Sequence, residues 1–177
     1  MRVFRRLALV SLLLLPALLL AQGPGPKRDP MQHFFTPSLG DLQAEAAEAR
    51  AKGRRAVFIM YMRDDCPYCE RMKANVLSLP AVQDYYRRHF AVLAIDTRGA
   101  VPIVDFAGRP TTERDFTDAQ GVKGTPTIIF YGFEGRPLAR MNGQIRDVEV
   151  FMLLGEFVAS GAHRTQSFAE FRSKKGS

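Results

Sequence analysis

Residues 55–69 read Arg55-Ala-Val-Phe-Ile-Met-Tyr-Met62-Arg-Asp-Asp-Cys66-Pro67-Tyr68-Cys69. The near-continuous apolar run from Ala56 to Met62 suits a strand buried on both faces, as at the centre of a sheet. It stops at Arg63, Asp64 and Asp65. Glu70 to Val76 then patterns as a helix, so the two cysteines fall where a strand hands over to a helix. Pro67 suits a first helical position, because its φ is preset and its missing N–H had no partner to lose. These are the only two cysteines among 177 residues. A bridge between residues three apart restricts the unfolded chain little, which favours a chemical role over a structural one.

Physical chemistry supports that role. The first turn of a helix has free N–H groups and the positive end of the helix dipole. Both favour a thiolate over a thiol, and cysteines so placed have pKa values of about 3.5 to 7.5. Cys66 is thus expected to be the ionised nucleophile. Cys69, one turn on and less exposed, is placed to attack a sulfur bonded to Cys66. Other readings compete. A purely structural bridge is one. A zinc site usually takes four protein ligands, and His33, His89 and His163 have no neighbouring ligand at a usual spacing. Two thiolates bind Cu(I) well, so copper handling is another alternative, as is a non-catalytic binding module. No metal and no cofactor is expected.

The composition is that of a soluble globular protein, 46% hydrophobic and 24% charged. The net charge of +7 includes Arg2, Arg5 and Arg6. Without them the excess is mild, and no basic stripe is interleaved with aromatics, so nucleic acid is excluded as a partner. The same three arginines head an apolar run, Leu7 to Leu20, which ends at the small residue Ala21. That is the pattern of an export signal over residues 1–21. As a helix the run would span about 21 Å, short of the roughly 30 Å hydrocarbon core. A cleaved signal is therefore favoured over an N-terminal membrane anchor, and a periplasmic or otherwise exported location is expected.

Residues 22–37, rich in Gly and Pro, read as a linker. Residues 38–161 form the expected domain. Ser38 precedes Leu39, Leu42, Ala46 and Ala49, spaced for one helical face, and Gly53 is a plausible stop. A helix from Ala81 follows Pro80, and Phe90 to Ile95 is a second buried strand. Val101 to Thr112 suggests a small hairpin, and Glu113 to Gln120 a short helix. Pro126 to Tyr131 is a third strand and Arg136 to Met141 an edge strand, where Pro137 is tolerated. Asp147 caps a helix with Phe151, Leu154, Phe157 and Val158 on one face. Residues 162–177 are a basic, polar tail with Phe168 and Phe171 docking a terminal helix. Strands separated by helices imply parallel pairing, and the last two, joined by a short turn, are antiparallel. The fold class is α/β, with a mixed central sheet of four strands flanked by helices.

Gly124-Thr125-Pro126-Thr127 is the second informative stretch. A proline opening a central strand is tolerated because it sits first. By itself it is compatible with either a trans or a cis Thr125–Pro126 bond. With a Cys-x-x-Cys about sixty residues upstream, it resembles the thioredoxin superfamily, over roughly residues 38–160. The export signal, Cys-Pro-Tyr-Cys, the insert around Val101 to Thr112, Gly-Val-Lys-Gly-Thr-Pro-Thr and Ser167-Phe-Ala-Glu-Phe-Arg172 are most similar to the periplasmic thioredoxins associated with sulfur-oxidation operons.

The resemblance implies thiol–disulfide exchange with protein disulfide or dithiol substrates. It also implies a membrane disulfide reductase as electron donor, and a cis-proline loop packed beside the cysteines. The backbone of Thr125 would pair with the client chain as an added strand. Pro67, Tyr68, Thr125 and Pro126 are then client-binding residues, and Cys66 and Cys69 the catalytic pair. Two departures stand out. The chain has no Trp, and Met60 occupies the position where cytosolic thioredoxins bury an Asp that accepts a proton from the second thiol. Asp64, Asp65 and Glu70 are the remaining candidates for that task.

Overall fold

The structure is a computed structural model that describes residues 25–176. The export-signal expectation for residues 1–21 lies outside the described residues. In chain order the elements are α1 (Pro30–His33), α2 (Leu42–Ala51), β1 (Ala56–Met62), α3 (Pro67–Met72), a π-helical turn (Lys73–Leu77), α4 (Pro80–His89) and β2 (Phe90–Asp96). Then come β3 (Pro102–Val104), β4 (Pro110–Thr112), α5 (Glu113–Ala119), β5 (Thr127–Tyr131), β6 (Pro137–Asn142), α6 (Val148–Ala159), a 3-10 turn (Ala162–Arg164) and α7 (Phe168–Lys175).

All seven β1 residues are buried, because β1 is an inner strand in the order β2-β1-β5-β6. Its alternate side chains serve two cores. Phe58 and Met60 join the cluster under α4 and α6. Val57, Ile59 and Tyr61 join the one under α2 and α5. A strand with helices on both faces has no polar side, which is why the run is continuous rather than alternating.

β1 and β2 are parallel, and β5 and β6 are antiparallel, as expected. β5, however, runs antiparallel to β1 although a helix precedes it, with Tyr61 opposite Thr127. That corrects the all-parallel expectation for helix-separated strands. α5 has seven residues and advances about 10 Å. β2, also seven residues long, extends about 23 Å. The helix is too short to carry the chain back along the sheet, so β5 starts at the end where β2 finishes.

Two further expectations are corrected. Leu39 is fully exposed rather than on a helical face. Gly40 takes a positive φ of 82°, and the helix starts only after Asp41, whose Oδ1 accepts from the Ala44 N–H. The supposed linker is bonded to the rest of the fold from Lys27 onward. It forms α1 and buries Phe34 and Phe35 among the core aromatics. Its Gly/Pro-rich start concealed two adjacent phenylalanines. At the other end, α7 buries Phe171 against Phe157, opened by a capping box between Ser167 and Glu170.

Candidate functional site

β1 delivers the chain to Cys66, which caps α3 from extended backbone. Pro67 opens the helix, and the Glu70 N–H donates to the Cys66 carbonyl at 3.1 Å. The Cys69 N–H donates to Cys66 Sγ, also at 3.1 Å. A disulfide joins the two residues, with their Cα atoms 5.2 Å apart. The donor that a thiolate needs is therefore in place at the sulfur.

Cys69 is fully buried and Cys66 is only 2% exposed. Cys69 is the less exposed of the two, as expected, but in the disulfide form Cys66 is buried as well. Its sulfur is bonded to the buried Cys69, and both lie in one apolar cluster with Met60, Met62 and Ile128. Met60 is wholly buried there, so β1 brings no carboxylate to Cys69.

The acidic residues beside the pair are all exposed. Asp65 lies 2.8 Å from Arg63 Nε and 3.1 Å from Arg98 Nη1. Glu70 pairs with Lys73 at 2.7 Å. Cations next to these carboxylates offset the repulsion they would exert on a Cys66 thiolate. Arg63 and Arg98 were not singled out from sequence. Arg98 reaches Asp65 only because β2 lies beside β1, a pairing that residue spacing does not announce. Tyr68 is 49% exposed, and the Arg71 guanidinium sits 4.6 Å above its ring, a cation–π pair that holds the ring against its own helix. The Tyr68/Arg71 spacing of three was the available signal.

Thr125 is half-buried and Pro126 buried, and the peptide bond between them is cis. The Gly124 carbonyl accepts from Thr127 Oγ1 at 2.7 Å, and the Pro126 carbonyl from the Gly143 N–H at 2.8 Å. With Tyr61 opposite Thr127, the start of β5 and the end of β1 share one end of the sheet. Cys66, Cys69, Thr125 and Pro126 are thereby brought to that end. His89 precedes β2 and lies at the opposite end, since Ala56 pairs with Phe90 there. Burial holds the imidazoles of His89 and His163 below their usual range, with nearby arginines acting in the same sense. His33 ends α1.

A disulfide capping the helix that follows an inner strand, at one end of a four-stranded mixed sheet with helices on both faces, defines a thioredoxin-like, thiol–disulfide oxidoreductase type of site. Residues 42–158 match the thioredoxin-like domain family, and the chain belongs to it. Among solved structures it is similar to a thioredoxin from Thermus thermophilus, at 26% identity and a TM-score of 0.52, over 70% of this chain and 92% of that one. It is also similar to a thioredoxin-fold protein from Helicobacter pylori, at 20% identity and a TM-score of 0.56, over 70% of this chain and 80% of that one. That second likeness is one of fold alone. No curated protein matches the chain.

Proposed function

We propose that the protein is an exported thiol–disulfide oxidoreductase that reduces disulfides in client proteins. The observation that carries this is the Cys69 N–H donated to Cys66 Sγ at the head of α3. It stabilises negative charge on that sulfur once the pair is reduced. The Cys66 thiolate attacks one client sulfur, the client S–S bond breaks, and the departing thiolate takes a proton. Cys69 then loses its proton and attacks Cys66 Sγ. The second client thiolate leaves and is protonated, and the Cys66–Cys69 disulfide remains. The client gains two electrons and the pair loses two. A membrane disulfide reductase is the class of donor that would restore the dithiol in an exported setting. The basic and apolar pattern of residues 1–21 supports export.

Because Cys66 is scarcely exposed, alignment of the client along Thr125 is what brings its sulfur into line. Pro67 and Tyr68 supply the facing surface. Cys66→Ser should abolish dithiothreitol-driven reduction of insulin. Undiminished turnover would refute the role of Cys66. Cys69→Ser should leave mixed disulfides with clients, detectable by non-reducing electrophoresis. Their absence would remove the resolving role.

A further inference from the structure

We propose that the groove between α7 and the loop joining β6 to α6 is a second contact site for the client. It would take an apolar side chain and a nearby acidic side chain from one extended segment. This rests on the reading of the Cys66–Cys69 end as the client-binding end.

The groove has a volume of about 790 Å³, and Met141, Ile145 and Phe168 are among the apolar side chains that line it. It begins where the Cys-pair end of the sheet leaves off. Asn142 pairs with Thr127, and the Gly143 N–H is bonded to the Pro126 carbonyl at 2.8 Å. Ile145 belongs to the same buried cluster as Cys66 and Cys69. The groove therefore adjoins the end of the sheet where Thr125 and Pro126 lie.

Charge identifies the occupant. Arg146 and Arg172 border the groove and are exposed. Among the described residues neither guanidinium has a carboxylate partner. The adjacent carboxylates are engaged elsewhere. Asp147 accepts from the Glu149 and Val150 N–H groups, and Glu170 from Ser167. An apolar floor bordered by two guanidinium groups without carboxylate partners fits a peptide with one apolar and one acidic side chain. α7, which completes the groove, lies beyond the family match at residues 42–158. One wall of the groove thus comes from residues beyond that match and the other from residues within it.

The test uses the full chain with dithiothreitol as electron source. Two disulfide peptides carry an apolar residue next to either Glu or Lys. Bis(2-hydroxyethyl) disulfide is the third substrate, too small to reach the groove from the cysteines. For the Glu peptide, Arg146→Glu with Arg172→Glu should raise KM about tenfold with kcat unchanged, two exposed ion pairs being lost. The double variant should favour the Lys peptide and reduce the small disulfide at the parent rate. Equal KM for both peptides with the parent protein would overturn the proposal, as would an equal loss on the small disulfide. If the parent protein is instead a dimer in sedimentation that the double variant splits, a second copy fills the groove and the proposal also fails. If the parent reduces none of the three substrates, the oxidoreductase reading itself falls, and the client subsite with it.

Discussion

At the scale of single residues, the end of the sheet that holds the cysteines is an exercise in placing charge. Asp65 precedes Cys66 but is flanked by Arg63 and Arg98, so the local field at the helix mouth is less negative than Asp64-Asp65-Cys66 suggests. Glu113 at the same end is a contrasting case. Its Oε1 accepts from the Asp96 N–H at 3.3 Å. Gly99 lets it approach, since a methyl group on that residue would fall on the Glu113 carboxyl. Burial pushes its pKa up, the Asp96 charge pushes the same way, and the Asp96 N–H opposes them. A carboxyl whose folded-state pKa is raised contributes most to stability below its unfolded value, and that contribution is lost as pH rises through the folded value. At pH values above that range Glu113 therefore opposes folding. Glu113→Gln keeps the acceptor and removes the charge. It should be the more stable protein at pH 7, by at most about 1 kcal/mol given solvent screening, and no more stable than the parent at about pH 3. Urea melts at the two pH values decide it, and a Gln variant weaker than the parent at pH 7 would contradict the account.

Among elements, β1 and the turn into α3 were legible because they obey local rules: a run too apolar for a one-sided strand, charges to end it, and a proline to open the helix. The start of β5 was legible to within one residue for the same reason, Pro126 standing just before Thr127 rather than opening the strand itself. What could not be read depends on which strands become neighbours. Arg98 meets Asp65 across β2 and β1, and α5 proved too short for a parallel return. The paired hydroxyls of Tyr61 on β1 and Tyr131 on β5 are of this kind. They lie 2.5 Å apart in the buried layer under α2 and α5, and Tyr131 OH donates onward to Gln120 Oε1 at 3.2 Å. Burial holds both phenols far above their usual pKa, so both stay neutral. With Tyr131 donating to Gln120, Tyr61 is the donor to Tyr131. The order of the chain predicts unequal mutants. Tyr61→Phe removes a terminal donor and should cost about 1 kcal/mol. Tyr131→Phe strands the Tyr61 hydroxyl without an acceptor and should cost about 1–3 kcal/mol. Denaturant midpoints compare them directly, and the reverse ranking would mean the bonds run in the other direction.

For the molecule as a whole, the thioredoxin-like core is closed by segments that lie outside the family match. Residues 28–36, ahead of α2, are tied down at several points. Arg28 pairs with Asp84 on α4 at 2.8 Å, Gln83 Nε2 donates to the Arg28 and Leu77 carbonyls, and the Thr36 N–H donates to the Val92 carbonyl at 2.7 Å. That last bond covers part of the free edge of β2, an edge that would otherwise invite pairing with another chain. Between these ties Phe34 is wholly buried, its ring centroid 5.6 Å from Phe58, 5.5 Å from Tyr86 and 6.2 Å from Phe151. It thus touches β1, α4 and α6 at once, and the core that seats both cysteines is the same cluster. A residue in such a position behaves as core whatever the composition of its segment. Phe34→Ala should therefore cost about 3–5 kcal/mol, a large share of the roughly 5–15 kcal/mol typical of whole proteins. At about 2–4 °C per kcal/mol for a chain of this size, the melting temperature should drop by about 10 °C. Phe35→Ala, which removes a neighbouring ring that is also nearly buried, should act in the same direction. Thermal melts of both variants test this, and a Phe34→Ala protein within about 1 °C of the parent would show that the segment lies on the domain without being part of it.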